Sequence, residues 1–167
     1  MADGDDFAAY AQARQHHLYR TAYLLCGDRD RAQDLVQTTL ANLLRSWKRV
    51  RGADNPDAYA KKALVRAFLT EQRRHRREVA ANRLAADPEA GGAPNRAELR
   101  LVVLAALREL PAKPRAMVVL RYWEDQSVEE TAALLGCSEG NVKSQCSRAL
   151  SKLRGLLGDQ YPALAEP

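Results

Sequence analysis

Apolar side chains recur at steps of three and four residues along both halves of this chain, and no clean alternation of apolar and polar residues is long enough to argue for a strand. That period is the repeat of the α-helix, so the expected fold class is all-α. The repeat is interrupted over residues 78–96, which hold Ala80-Ala81, Asp87-Pro88, Gly91-Gly92 and Pro94 and lack a long apolar face. Helix breakers at that density read as a linker. The chain is therefore expected to form two small helical domains joined by a flexible linker, an N-terminal bundle at 1–77 and a C-terminal bundle at 97–158, with a tail at 159–167. Domains of this size bury only about 60% of their unfolded surface and are marginally stable alone, so a partner is expected to support both.

Local signals place the helices. Phe7 to Cys26 reads as the first, with Leu18, Ala22 and Leu25 on one face and Gly27 as its left-handed cap. Asp28 or Asp30 caps a second, whose stripe of Ala32, Leu35, Val36, Leu40, Leu43, Leu44 and Trp47 runs toward Gly52. Asn55-Pro56-Asp57 combines a capping amide, a first-turn proline and a carboxylate at the positive helix end, and opens a third helix running to about Arg77. Further on, Leu99 to Leu110 forms a helix, Pro111 and Pro114 interrupt it, and Arg115 to Trp123 resumes. Ser127-Val128-Glu129-Glu130 is a capping box, Gly136 stops the short helix it opens, and Ser138 caps a last helix from Glu139 to about Leu157.

Short helix, glycine turn and longer helix are the parts of a helix-turn-helix, whose second helix lies in the DNA major groove. Val142, Cys146, Ala149 and Leu153 make its apolar stripe, and Asn141, Ser144, Gln145 and Arg148 share a neighbouring face able to bond to base edges or phosphates. Lys143, Lys152 and Arg154 flank that face as expected phosphate contacts. A polar face is also what any solvated helix presents. The second charge feature is the helix at 58–77, where Lys61, Lys62, Arg66, Arg73, Arg74, Arg76 and Arg77 stand against Glu71, with Asp57 just before its start. Residues 1–77 carry 15 basic and 9 acidic side chains, so the basic bias of the chain, net +5 overall, sits in its first half. Such a cluster suits a nucleic-acid backbone, or equally a solvated face; Tyr59 adds a stacking surface, and Phe68 is assigned to the core.

Other classes fit poorly. No run approaches the roughly 18 apolar residues of a membrane span, and the acidic opening Asp3-Gly4-Asp5-Asp6 is unlike a secretory signal, so neither membrane insertion nor export is expected and the chain is placed in the cytoplasm. Cys26, Cys137 and Cys146 show no metal-ligand spacing and read as reduced thiols, with redox sensing left open for Cys26 and Cys137. His16 and His17 point about 100° apart on a helix and cannot share a metal on one face. No catalytic constellation, cofactor or metal is expected.

In their order, these parts resemble a bacterial sigma factor of the extracytoplasmic-function group within the sigma-70 family. The segment Arg31-Ala-Gln-Asp-Leu-Val-Gln-Thr-Thr-Leu (31–40) is similar to the family's acidic-plus-DLVQ stretch, and residues 127–154 to its C-terminal recognition motif. The Tyr59 to Leu69 stretch most resembles the actinobacterial sigma-E-like branch. The resemblance implies an N-terminal domain (region 2) that docks on the clamp of RNA polymerase core, formed by its beta and beta-prime subunits, and opens the minus-ten element, while the C-terminal domain (region 4) reads minus-thirty-five. It puts Asp34, Leu35, Gln37 and Thr38 at the polymerase, Arg51 to Asn55 in the loop that captures a flipped base, and Lys61, Lys62, Arg66, Arg73 and Arg74 on the promoter-melting helix. Ser138, Asn141, Lys143, Ser144, Gln145 and Arg148 fall in the minus-thirty-five reader. It also implies an anti-sigma partner and a monomer when free. Arg66 stands where Asn is frequent and Thr70 where Asp is frequent. Gln145 replaces a frequent Arg, offering adenine an amide, so the upstream preference is expected to have shifted.

Three rival readings compete with it: a dimeric helix-turn-helix repressor, for which no dimer helix is evident; an enzyme; and a module that titrates another regulator. Under the sigma reading, each small domain offsets its own docking cost with few base contacts. The free protein should therefore bind promoter duplex weakly, with tight and steeply salt-dependent binding only in the holoenzyme. Titration of labelled duplex at physiological salt checks this, and nanomolar binding by the protein alone would contradict it.

Overall fold

The computed structural model describes residues 2–82 and 96–158 of the chain. Those residues form α1 (Ala2–Cys26), α2 (Arg29–Arg45), α3 (Trp47–Arg51), α4 (Pro56–Asn82), α5 (Arg96–Arg108), α6 (Ala112–Val118), α7 (Val128–Leu135) and α8 (Glu139–Gly158); a π turn, Val119–Trp123, continues α6. There is no strand among them. The all-α expectation holds, with helical units on either side of residues 83–95. Most of the expected linker, and the tail at 159–167, lie outside the described residues.

Gly27, at φ +70, turns the chain from α1 into α2, and Asp28 caps α2 by accepting from the Arg31 amide at 2.9 Å. Leu18, Ala22 and Leu25 of α1 meet Leu35, Val36 and Leu40 of α2 and Leu64, Val65 and Phe68 of α4 in one core. Trp47 seals its lower edge, with the Phe7 ring edge-on at 5.3 Å and Tyr10 tilted at 5.1 Å. In the C-terminal unit, Ala106, Leu107 and Leu110 pack on Val118, Ala149 and Leu153, while Met117 meets Ala132, Val142 and Cys146.

Several boundaries differ from the sequence expectation, each for a physical reason. α1 begins at Ala2, not Phe7, since Asp3 and Asp5 favour the positive end of a helix. α4 continues to Asn82 and not Arg77, because Ala80-Ala81, read as part of a breaker-rich run, are the best helix formers. α2 stops at Ser46, and Trp47 belongs to the separate turn α3. α5 starts at Arg96. Pro114 does not interrupt α6, which starts at Ala112, since proline is tolerated in a helix's first turn.

The unforeseen feature is that the two units touch. Arg115 through Leu120 are all buried, and their faces divide among the cores: Ala116, Val119 and Leu120 turn to the N-terminal core, Val118 to α5 and α8, and Met117 to α7 and α8. Arg115 donates to the backbone carbonyls of Leu25 (2.7 Å), Arg108 (3.1 Å) and Leu110 (2.8 Å), and its guanidinium lies 5.8 Å from the Phe68 ring centre. The Arg108 side chain passes so close over Gly27 that a Cβ there would collide with its aliphatic carbons. Phe68, wholly buried where the units meet, is the largest of the fully buried side chains among the described residues. Phe68→Ala should cost about 3–5 kcal/mol of unfolding free energy, measurable by urea denaturation of the full chain.

Candidate functional site

The second helix of the helix-turn-helix is positioned by three local devices. Ser127 and Glu130 form the reciprocal capping box, the hydroxyl accepting from the Glu130 amide at 3.0 Å and the carboxylate from the Ser127 amide at 2.8 Å. Gly136 adopts φ 65 and ends α7. Ser138 accepts from the Asn141 amide at 3.1 Å and so caps α8. Val142, Cys146, Ala149 and Leu153 are buried, which turns Lys143, Ser144 and Arg148 into solvent and leaves Asn141 and Gln145 half-buried beside them. Ser144 spends its hydroxyl locally, donating to the Asn141 carbonyl at 3.3 Å.

Two of the flanking cations have neighbours within the chain. Lys152 bonds internally, to the Glu109 carbonyl at 2.9 Å, where a cation complements the C-terminal end of α5. Arg154 joins Lys143 and Arg121 around a shallow groove of about 330 Å³, with Val142, Cys146 and Leu150 in its lining. Arg121 carries a cation the sequence reading did not assign; it is held by its bond to the Gln126 carbonyl at 2.6 Å.

In the N-terminal unit, a groove of about 760 Å³ runs between α2 and α4. It brings together Asp34, Leu35 and Thr38 from α2 with Tyr59, Lys62, Arg66 and Arg74 from α4. Asp34, Gln37 and Thr38 are exposed, but Leu35 is 2% exposed and belongs to the core, where it supports the helix and offers a partner little surface. Arg66, Arg73 and Arg74 are exposed on α4. Glu71 ties α4 to α2 through Arg31 Nε at 3.0 Å. Arg51 closes α3 and pairs with Asp3, and with Asp6 at 3.3 Å, so a partner must compete with those carboxylates for it. Asn55 caps α4, accepting from the Ala58 amide at 3.2 Å. Asp57 accepts from the Tyr10 hydroxyl at 3.0 Å and pairs with Arg14 at 2.6 Å, fixing α4 against α1; burial and that bond push the Tyr10 hydroxyl pKa upward.

These two units match known proteins in the same order. Residues 5–78 match the family model described as Sigma-70 region 2, and residues 100–153 match that described as Sigma-70, region 4. The chain belongs to the sigma-70 family. It is 39% identical over 156 residues to the RNA polymerase sigma-E factor of Streptomyces coelicolor, covering 92% of this chain and 87% of that one. It is 35% identical over 142 residues to the ECF RNA polymerase sigma factor EcfG of Rhodopseudomonas palustris, covering 81% and 76%. Among solved structures, the sigma factor RpoE from Bartonella quintana, crystallised with the anti-sigma factor NepR, aligns with a TM-score of 0.71 and 28% identity over 91% of this chain and 96% of that one. The sigma-factor reading of the sequence is thus shown, and the dimeric repressor gives way to it.

No group of three or more His, Cys, Asp or Glu among the described residues could hold a metal ion, and no described helix is long and apolar enough to cross a membrane. Cys26 is fully buried, and burial, with Glu71 nearby, pushes its thiol up to about 12.

The residue the sequence reading missed is Glu124, whose side chain is only 3% exposed. Burial alone would raise its pKa, but hydrogen bonds from Thr21 and His17 and the charges of His17 and Lys61 outweigh it and hold the carboxyl below the ordinary 4.5. A carboxyl depressed on folding stabilises the folded state above its unfolded value, and that contribution fades as pH falls through the folded value. Unfolding free energy should therefore drop in acid below about pH 4.5, and Glu124→Gln should remove part of that drop in a urea series against pH.

Proposed function

We propose that this RNA polymerase sigma factor divides its work among three surfaces. The exposed side of α2, with Asp34, Gln37 and Thr38, meets the clamp of the core enzyme. The α3–α4 turn and the cations of α4, Lys61, Lys62, Arg66, Arg73 and Arg74, engage the minus-ten element. The outer face of α8, with Ser138, Asn141, Lys143, Ser144, Gln145 and Arg148, reads minus-thirty-five. The observation that carries the reading is the order of the two family matches on two helical units, each presenting exposed cations from one helix. Lys143 and Arg148 stand clear of the core on a helix whose start is fixed by Ser138, the geometry by which a recognition helix offers its N-terminal half to base edges.

The proposed mode of action is binding and not catalysis: the protein supplies sequence preference, and the polymerase supplies chemistry and spacing. Phosphate contacts from Lys143 and the α4 arginines set register and affinity, while Asn141, Gln145 and Arg148 carry base preference. The partners that fit are core polymerase, promoter DNA and an anti-sigma factor, the last resting on the Bartonella relative's structure with NepR. The proposed location is the cytoplasm, where that machinery works.

Run-off transcription with core polymerase on a promoter library tests the reading directly, and absence of any new transcript would refute it. Asp34→Arg should abolish binding to core polymerase in co-sedimentation. Arg148→Ala should leave that binding intact and weaken minus-thirty-five recognition by about 1–3 kcal/mol, read as lost discrimination between matched and mutated upstream elements. Lys143→Ala should weaken all promoters alike and lower the salt slope by about 1.

A further inference from the structure

One stripe of α1 holds both ends of the α3–α4 turn. Asp6, Phe7, Tyr10 and Arg14 follow Asp3 by three, four, seven and eleven residues, which puts all five on one face of the helix. At the near end of the turn, Arg51, the last residue of α3, pairs through Nη1 with Asp3 and, at 3.3 Å, with Asp6 Oδ2. One helical turn earlier on α3, Trp47 receives the Phe7 and Tyr10 rings. At the far end, Asp57 in the first turn of α4 accepts from the Tyr10 hydroxyl at 3.0 Å and pairs with Arg14 at 2.6 Å. Only Gly52, Ala53, Asp54 and Asn55 separate α3 from α4 between these ties.

Local bonds fasten the junctions of this turn with its helices. The Ala53 amide donates to the Val50 carbonyl at 3.2 Å, and Asn55 accepts from the Ala58 amide at 3.2 Å. Gly52, Asp54 and Asn55 are themselves exposed, so the course of the turn across open solvent depends on where α1 holds its two ends. Asp3 and Gly4 also border a groove of about 400 Å³ with Arg45, Lys48 and Arg49, so the acidic first turn of α1 lies beside further cations of α2 and α3. A turn that must receive an extruded base binds it better when already in the bound shape, because ordering it at the moment of capture costs affinity. Two carboxylates already neutralise Arg51, so what this residue offers DNA is the placement of the turn it opens.

We propose that Asp3, Asp6 and Tyr10 are positioning residues for promoter opening: acting through Arg51 and Asp57, they hold residues 52–55 ready for an extruded minus-ten base without touching DNA themselves. The proposal rests on the functional reading above, which gives the α3–α4 turn to the minus-ten element. Loosening either end of the turn weakens its hold on that one base and leaves the phosphate contacts of α4 as they are. The side chains of Arg51 and Asp3 are 42% and 41% exposed, and an exposed pair contributes at most about fivefold to an equilibrium constant. Weak ties of this size tune the capture of a base without deciding whether the chain folds.

The test titrates holoenzyme, assembled from core polymerase and the full chain, with single-stranded minus-ten oligonucleotides, intact or with an abasic site at each position in turn. Wild type should show one position at which removing the base costs about fivefold or more in affinity, the loss of a held base's stacking. Asp3→Asn combined with Asp6→Asn, and separately Tyr10→Phe, should each shrink that penalty by about two- to fivefold. The change should come from weaker binding of the intact strand alone, with the abasic strand bound as by wild type. Asp5→Asn removes a charge from the same helical turn but outside the Arg51 pairs, and should leave the penalty as it is. Urea unfolding of each variant verifies that the fold is kept. An unchanged penalty in either loosened variant, equal shifts for intact and abasic strands, or an Asp5→Asn effect as large as that of the pair would overturn the proposal. A wild type with no position-specific penalty overturns it as well, whereas failure of the sigma reading shows separately, as absence of transcript from the wild-type holoenzyme.

Discussion

One buried cation, without a carboxylate partner among the described residues, organises this molecule. Arg115 enters a core bounded by Phe68 and finds three carbonyls, those of Leu25, Arg108 and Leu110. Two of these belong to the C-terminal ends of α1 and α5, where helix dipoles place about half a negative charge each. The helix ends serve as the counter-ion. Burial still disfavours the charged form and brings the Arg115 pKa down to about 10, leaving it protonated at any ordinary pH. The side chain fixes where α1 stops and where α5 turns into α6, and the five residues after it fill both units. The exposed face of α8 is thus placed relative to α4 through one short, wholly buried segment.

That arrangement separates rigid from adjustable features. Within each unit the reading surfaces rest on caps and turns that no partner needs to form: Ser127 with Glu130, Gly136, Ser138, Asn55. Between units, apolar contact from Ala116, Val119 and Leu120 is supplemented by charged and polar bonds at Glu124. Interfaces of mixed character inside one chain are the kind that permit relative domain motion. The side chains expected at DNA are distributed across this division. Arg66, Arg73, Arg74, Lys143 and Arg148 point into solvent, whereas Lys61 and Arg51 are already paired with carboxylates of this chain.

Much of this was legible in the sequence because helix signals are local. The capping box at Ser127, the glycines at 27 and 136, and the stripe through Val142, Cys146, Ala149 and Leu153 each determine structure within a few residues, and the structure has them where the spacing put them. Where local signals are ambiguous, the boundaries moved. Ala80-Ala81 belongs to α4 because an alanine pair is silent about linkers and favourable to helices. Pro114 proved compatible with α6 because proline's effect depends on its position in the helix, which a sequence shows only once the start is known. Leu35 sits within a recognisable motif, yet a motif does not say which of its members face inward.

The contact between units was illegible for a different reason. Periodicity identifies a buried face by contrast with an exposed one, and residues 115–120 have no exposed face to supply that contrast. Even a visible stripe would not have named its partner. Glu124 carried no signal either, since an acid shortly before a capping serine reads as an ordinary solvated turn residue. A buried carboxylate is tolerated only where cations and donors surround it, and here those come from positions 103 and 107 residues away along the chain for Thr21 and His17. Had Glu124 lacked them, burial would have raised its pKa; the net downward direction follows from the other unit being in place. The direction of that shift thus depends on how the two units are arranged, and no local pattern in either unit encodes it.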